Sequence, residues 1–403
     1  MGRKDKKKDK SRKPGNTAFR QQRLKAWQPI LTPKTVLPLF FLVGLIFAPI
    51  GGLLVWSSTK VQELVIDYTD CSKEATGENF KRIPAGLYSA IFKDPLNANS
   101  GPEWRSFTES PTTDPRILKT NKNYTDKTVC TIKFDLPNDV QAPVMFYYRL
   151  TNFYQNHRRY VKSLDEAQLM GNPRTLGDLR GARDCDPLAG NGTLPYYPCG
   201  LIANSLFNDT FLSPVLLNPK AGPGIGPNKT YPMTNKNIAW ASDSQRFRPS
   251  KYQASEILPP PNWADRYEGG VYTQDSIPNL QEDEEFQVWM RTAGLPMFSK
   301  LAMRNDNMTM EKGTYQVKIY SRFPVKEYGG TKSFVISTKT VMGGRNPFLG
   351  VAYLVVGGLC MVFGLVFTIT NLVKPRKLGD HTYLSWNNDE PASTAHTSGR
   401  DNM

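Results

Sequence analysis

Residues 152–163 read NFYQNHRRYVKS, so aromatic, cationic and amide side chains crowd around one histidine, His157. Three kinds of chemistry use such a mixture: proton transfer by an imidazole, clamping of a nucleic acid, and structural bracing by guanidinium groups. Arg158 and Arg159 would disfavour a protonated imidazole, and the chain has no GxSxG nucleophile motif. The sequence therefore predicts that the two arginines brace the fold or, as a less favoured alternative, contact a partner.

Other possible sites lack the spacing that their chemistry requires. The acidic run EDEE at 282–285 has neither the alternating ligands nor the central glycine of an EF-hand loop, so we expect the negative first turn of a helix. The loop AGPGIGPNKT at 221–230 lacks the Gly-Lys pair of a phosphate-binding loop. No CxxC spacing supports a zinc site. We expect no catalytic residue, no cofactor and no metal.

Two long uncharged stretches decide where these residues lie. Residues 36–56 and 348–373 contain no charged side chain, and each exceeds the roughly 20 residues that a helix needs to cross a bilayer. The first stretch is too long, and begins too far into the chain, to be a cleaved signal peptide. Both stretches are therefore predicted to be transmembrane helices.

Basic residues set the expected orientation of the two helices. Residues 1–25 carry eleven Lys and Arg side chains, and three more directly follow the second stretch. Positive flanks stay in the cytosol, so we expect a cytosolic arm at 1–35, a luminal or extracellular ectodomain at 57–347, and a cytosolic tail at 374–403. Most of the net charge of +15 lies in the arm, which removes the main argument for nucleic-acid binding by the ectodomain.

Four cysteines lie between the predicted spans, and a fifth, Cys360, lies within the second one. In an oxidising compartment four cysteines suggest two disulfides, for which three pairings are possible. Pairing between neighbours in the chain is favoured, which gives Cys71–Cys130 and Cys185–Cys199.

Five Asn-x-Ser/Thr sequons also lie between the spans, and the two cytosolic segments have none. Sequons mark acceptors for N-glycosylation in a secreted or luminal domain. The expected acceptors are Asn123, Asn191, Asn208, Asn228 and Asn307.

Alternating apolar residues predict antiparallel strands in a single ectodomain. Residues 127–136, 142–150 and 314–323 place their apolar side chains on one face. Such alternation is typical of strands with one buried face. Residues 152–170 and 282–292 are predicted to contain short helices, joined to the strands by loops rich in proline and glycine.

Two further features are candidates for contact with other molecules. Gly350, Gly357 and Gly364 recur every seven residues in the second span, and a face without side chains lets another helix approach closely. Glycine is also simply frequent in membrane helices. The basic arm is predicted to attract anionic phospholipid, at about 1 kcal/mol per Lys or Arg, or an acidic patch on a partner.

Several long motifs give the chain a family resemblance. From about residue 18 to residue 373 it resembles the Cdc-fifty/Lem-three proteins, the accessory β-subunits of type IV P-type ATPases, which are lipid flippases. The matching motifs are RLKAWQPILTP (23–33), FAPIGGLL (47–54), DYTDC (67–71), NFYQNHRRYVKS (152–163), YYPCGLIANSLFND (196–209), FQVWMRTAGLP (286–296) and GGRNPFLGVAYLVVGG (343–358).

The resemblance implies a two-span membrane protein whose large glycosylated ectodomain is an antiparallel β-sandwich with two disulfides. It implies a non-catalytic subunit that escorts a phospholipid-translocating ATPase out of the endoplasmic reticulum and supports its catalytic cycle. The Golgi, endosomes and plasma membrane are the expected later locations. The ATPase would be the partner in a heterodimer and would carry both ATP hydrolysis and lipid passage. A stand-alone cell-surface receptor or adhesion protein is the alternative.

Overall fold

The computed structural model describes residues 15–25, 32–96, 101–220, 226–340 and 343–375. They form two compact units. One is built on the two long apolar helices, and the other, Leu54–Pro347, is called here the inter-span domain. Most of the basic arm and of the C-terminal tail lies outside the described residues, so the predicted lipid contacts of the arm stay a prediction. Residues 15–25, within the arm, form turns.

Two helices are long and apolar enough to cross a membrane. The first, α1, spans Pro33–Thr59, and the last, α9, spans Phe348–Val373. In their most apolar stretches 11% and 17% of the residues are buried within the chain. An exposed apolar surface of this size is stable where lipid or a partner covers it. The two helices therefore fit a two-pass membrane protein.

The glycine face of α9 packs against α1. Gly350, Gly357 and Gly364 are all buried. A Cβ added to Gly357 would lie 2.9 Å from the backbone nitrogen of Ala48, closer than real Cβ atoms come to a backbone atom. One added to Gly364 would lie 3.2 Å from the Phe41 ring. The helix that these glycines admit is therefore α1 of the same chain rather than a helix of a partner.

The inter-span domain contains two antiparallel sheets. The first has the order β10-β6-β12-β1-β3, where these strands are Phe298–Asn305, Val144–Leu150, Lys332–Thr338, Glu63–Asp67 and Tyr88–Ile91. The second has the order β2-β4-β5-β11-β8-β9, where these are Lys81–Arg82, Glu103–Glu109, Asp126–Leu136, Gly313–Tyr320, Val215–Leu216 and Lys229–Thr230. A short strand, β7 (Thr210–Phe211), also pairs with β11. Phe134 of the second sheet lies 6.0 Å from Phe334 of the first, within one shared core.

Burial follows the predicted alternation in the second half of β5, whereas β12 shows no alternation. In β5 the residues Cys130, Ile132, Phe134 and Leu136 are buried, as their period of two predicts. Residues of β12 are buried on both faces, and the strand lies at the centre of its sheet, between β6 and β1.

Seven short helices complete the described part of the domain. They are α2 (Cys71–Glu74), α3 (Arg158–Lys162), α4 (Glu166–Leu169), α5 (Leu176–Ala182), α6 (Leu201–Asn204), α7 (Ala241–Ser244) and α8 (Glu284–Met290). The predicted helical segment 152–170 is thus divided, and its first six residues are not helical. Short 3-10 turns occupy parts of the long loop 249–281.

The acidic run 282–285 lies at the start of α8, as predicted. Asp283 is its N-cap and accepts the backbone N–H of Phe286 at 2.9 Å. Glu284 and Glu285 occupy the first turn. Glu284 also accepts three successive backbone N–H groups of residues 237–239, at 2.7–3.0 Å. Negative charge is favourable at this helix end, and it ties α8 to a distant segment.

Both expected disulfides are present. Cys71 is bonded to Cys130, with Cα atoms 6.3 Å apart, and joins α2 to β5. Cys185 is bonded to Cys199, with Cα atoms 5.6 Å apart, and closes a short loop between α5 and α6. Cys360 of α9 is free.

Candidate functional site

Amide groups tie the stretch NFYQNHRRYVKS to the loop that precedes β10. The backbone N–H of Phe153 donates to the Pro296 carbonyl at 3.1 Å. The side-chain oxygen of Gln155, a fully buried residue, accepts the Ala293 N–H at 2.9 Å. Asn156 donates a third bond to the same loop, at 3.0 Å. These bonds hold together two segments that are far apart in the sequence.

The ring of Phe153 lies at the centre of an aromatic cluster. Ring pairs at such separations add about 0.5–1.5 kcal/mol each beyond the burial of their surface. Five rings have centroids 5.4–6.2 Å from that of Phe153: Tyr160, Trp289, Phe298, Phe323 and Tyr328. Bracing of the fold by this stretch therefore comes from its aromatic and amide side chains.

The cations of the stretch point to solvent instead. Arg158, Arg159 and Lys162, all in α3, are exposed, and their side chains make no salt bridge or hydrogen bond with another described residue. The prediction that the two arginines brace the fold is therefore wrong. Like charges at positions i and i+4, as in Arg158 and Lys162, repel each other. These three cations therefore do not stabilise the described part of the domain through a salt bridge or hydrogen bond.

Exposed apolar side chains lie close to the same helix. Tyr154, Leu295 and Met297 are 57%, 70% and 62% exposed. The hydrogen bonds described above join the segment of Tyr154 to the segment of Leu295 and Met297. Arginine beside tyrosine and methionine is the composition that protein interfaces favour. We call this surface the α3 face; it consists of Tyr154, Arg158, Arg159, Lys162, Leu295 and Met297.

His157 has no chemical partner in the described structure. It is the exposed N-cap residue of α3, and its imidazole makes no capping hydrogen bond. Within the described residues no group of three His, Cys, Asp or Glu side chains is placed to hold a metal. The stretch thus presents charge and apolar surface to solvent.

Sequence reasoning missed two buried ion groups, which join segments far apart in the chain. Arg322, just after β11, lies 2.7 Å from Asp114 and 2.6 Å from Asp126. Lys332 of β12 lies 2.8 Å from Asp209. All five side chains are at most 6% exposed. Their partners are distant in the chain, so no local pattern in the sequence marks them.

The pKa shifts show how the arginine group keeps its charges. Burial alone would raise the pKa of Asp114, but the charge of Arg116 and hydrogen bonds from Thr210 and Arg322 lower it. Burial alone would lower the pKa of Arg322, but its hydrogen bond to Asp114 and the charges of Asp114 and Asp126 raise it. Asp114 and Arg322 are thus charged and paired at neutral pH.

The sequon asparagines differ in exposure. Asn123, Asn191, Asn228 and Asn307 are exposed, so an oligosaccharide can be attached without disturbing the core. Asn208 is half-buried beside β7, and its side-chain oxygen is enclosed without a hydrogen-bond partner among the described residues.

Comparison with known proteins gives one consistent result. A model of the LEM3 (ligand-effect modulator 3) family / CDC50 family matches residues 54–377. The chain is 44% identical to the phospholipid-transporting ATPase accessory subunit CRF1 of Saccharomyces cerevisiae, over 94% of this chain and 91% of that protein. It is 41% identical to the accessory subunit CDC50 of Chaetomium thermophilum, over 96% and 94%. Cell cycle control protein 50A of Mus musculus is 39% identical over 90% of both chains.

Proposed function

The chain belongs to the LEM3/CDC50 family, and we propose that it is the non-catalytic accessory subunit of a phospholipid-transporting P-type ATPase. The observation that carries this proposal is the 44% identity, over almost the whole chain, to a protein named as such a subunit. The partner ATPase hydrolyses ATP and moves the lipid. This chain is required for export of the ATPase from the endoplasmic reticulum and for its catalytic cycle.

The expected topology accompanies this function. Both termini lie in the cytosol, and the inter-span domain lies in the lumen or outside the cell with its sequons glycosylated. Two observations support this arrangement: the basic residues that flank α1 and α9, and the exposure of four sequon asparagines. The protein passes from the endoplasmic reticulum to the Golgi, endosomes or plasma membrane with its partner.

Contact with the ATPase uses the α3 face. Its rigid backing supports this assignment, because the Phe153 cluster and the amide bonds fix the position of the exposed side chains beside it. Arg158 and Arg159 then meet carboxylates on the partner, with the exposed apolar side chains completing the contact. The basic arm binds anionic phospholipid in the cytosolic leaflet.

Co-purification tests the function directly. The full-length chain, tagged and isolated in mild detergent from its own cells, should carry a P-type ATPase in about equal amount, and the isolated complex should hydrolyse ATP when phospholipid is added. The tagged chain of an unrelated two-span glycoprotein is the control. Recovery of this chain alone, correctly folded and at the cell surface, would instead identify a receptor or adhesion protein.

A further inference from the structure

A cavity of about 570 Å³ opens beside β10 in the inter-span domain. Its walls come from β6, from the segment around α7, from the end of α8 with the residues after it, and from β10 itself. Lys339, which follows β12, completes one side. The volume falls in the range of small-molecule sites, about 300–1,000 Å³.

Cations outnumber anions in the lining of this cavity. Arg291, Lys300, Arg304 and Lys339 line it, and Asp243 is the one carboxylate among its described lining residues. Arg291 is paired with Asp243 and Arg304 with Asp306, so Lys339 is the exposed cation of the described lining that no carboxylate pairs with. Such a lining favours an anionic ligand over a cationic one, and a wholly apolar ligand would leave the charges without water or counter-ions.

Two of these cations keep free capacity to bind a ligand. Lys339 is exposed, and its ammonium has no partner among the described residues. Nε of Arg291 lies 2.9 Å from Asp243, and its guanidinium stacks 4.6 Å from the ring centre of Trp240, which leaves Nη1 unpaired within the described structure. Arg304, in contrast, is occupied by Asp306 at 2.6 Å.

Lys300 also lines the cavity, but its ammonium offers no free hydrogen to a ligand. Its ammonium donates all three hydrogens to the carbonyls of Val288, Trp289 and Arg291, at 2.6–3.0 Å. The charged and titratable groups that face it across the cavity are Arg291, Asp243, Arg304, Lys339 and Tyr147. Burial and then the charge of Arg291 lower the pKa of Lys300 to about 7, and the lining includes no carboxylate bonded to it that would reverse this. A negative charge in the cavity favours the protonated form of this ammonium.

We propose that this cavity binds a phosphate ester, with its phosphate between Arg291 and Lys339 and the rest of the ligand against the Trp240 ring. Guanidinium and ammonium groups are the common partners of phosphate oxygens. Trp240, 66% exposed, offers a flat apolar surface beside them. The ester is either the headgroup of a phospholipid or a soluble phosphate compound. Lys339 shortly precedes Phe348, where α9 begins, and the choice of lipid as a probe rests on the proposed function.

Calorimetric titration of the full-length chain in neutral detergent tests the proposal. The probes are dihexanoyl phosphatidylserine, glycerophosphoserine, inorganic phosphate and, as the uncharged comparison, glycerol. We expect the phosphate-bearing probes to bind and glycerol not to bind. Tighter binding of the two serine esters than of inorganic phosphate identifies a headgroup, and equal binding identifies a soluble phosphate as the natural ligand.

A matched pair of variants separates a site from general attraction between charges. The variant Arg291→Gln with Lys339→Gln should lose at least tenfold in affinity. The control Lys93→Gln with Lys127→Gln removes two exposed cations outside the cavity and should bind as the unaltered chain does. Equal losses in both variants, or the absence of binding by every probe at millimolar concentration, would overturn the proposal. Co-purification of the ATPase with the cavity variant is measured in parallel, because its retention shows that the accessory role is intact whatever the probes do.

Discussion

The ammonium of Lys332 lies 2.8 Å from a carboxylate oxygen of Asp209, and both side chains are almost completely buried. The same oxygen accepts the hydroxyl of Tyr68 at 2.8 Å, and the other oxygen accepts the backbone N–H groups of Arg322 and Phe323. Burial lowers the pKa of Lys332 against the opposing charge of Asp209. Asp209 is tolerated inside the domain because both of its oxygens have partners.

Replacing Lys332 with methionine should lower the free energy of unfolding by about 3–5 kcal/mol, because Asp209 then stays buried without its counter-charge. Adding Asp209→Asn to that variant should recover part of the loss. Urea unfolding followed by tryptophan fluorescence measures both. A double variant less stable than the single one would show that the charge pair is not the cause.

Loss of the Cys185–Cys199 disulfide should destabilise the domain by about 3 kcal/mol, the chain-entropy value for a loop of about 15 residues. Cys185→Ser with Cys199→Ser should therefore melt at a lower temperature and be retained in the endoplasmic reticulum. Cys360→Ser, which removes the free cysteine, is the control and should behave as the unaltered chain. Equal melting temperatures for all three proteins would contradict the expectation.

The α3 face should matter for assembly and not for stability. Arg158→Ala and Arg159→Ala should each change the free energy of unfolding by less than about 0.5 kcal/mol, because both side chains are exposed and unpaired. Both should lower the yield of complex with the ATPase. Phe153→Ala, in the aromatic cluster behind them, should instead cost about 3 kcal/mol. His157→Ala is the control, and its complex should hydrolyse ATP normally; a normal yield for both arginine variants would remove the α3 face as a contact.

Leucine at Gly357 should disturb the packing of α9 on α1, since even a Cβ there meets the backbone of Ala48. Gly358→Leu is the matched control, because a Cβ at that position meets no atom within 4 Å. We expect the first variant to aggregate at lower temperature in detergent and to assemble less well, and the second to be unaffected. Indistinguishable variants would show that close approach at Gly357 is unimportant.

Lys300 should make stability depend on pH. Its pKa is about 7 in the folded protein, against about 10.4 in an unfolded chain, so between these values the unfolded state binds more protons. The free energy of unfolding should therefore rise with pH from 7 to 9, by up to about 1.4 kcal/mol per unit relative to Lys300→Met. Urea unfolding at several pH values measures the two slopes. Parallel slopes would mean that Lys300 is not desolvated as its burial indicates.

Sequence patterns predicted features that depend on neighbours along the chain. The uncharged stretches gave the two apolar helices, the period of two in residues 127–136 gave β5, and EDEE gave the start of α8. The burial of β12 on both faces was not visible, because it depends on what packs against the two faces of the sheet in the folded domain.

The distribution of charge was predicted least well. Arg158 and Arg159 were predicted to brace the fold, yet both are exposed, and Arg322 is the arginine that is buried in an ion group. Its carboxylate partners, Asp114 and Asp126, lie about two hundred residues away. No local rule connects residues at that separation, so their pairing follows only from the topology of the sheets.

The position of β12 has a consequence for biosynthesis. The last strand of the domain lies at the centre of the first sheet, between β6 and β1, which are made much earlier. Until the ribosome has passed Thr338, both of those strands have an unpaired edge where β12 belongs, and such edges promote aggregation. The strands of this sheet therefore cannot pair one after another in the order in which they are synthesised. The first sheet therefore stays incomplete until β12, which shortly precedes α9, has been synthesised. During that time we expect the domain to need chaperones.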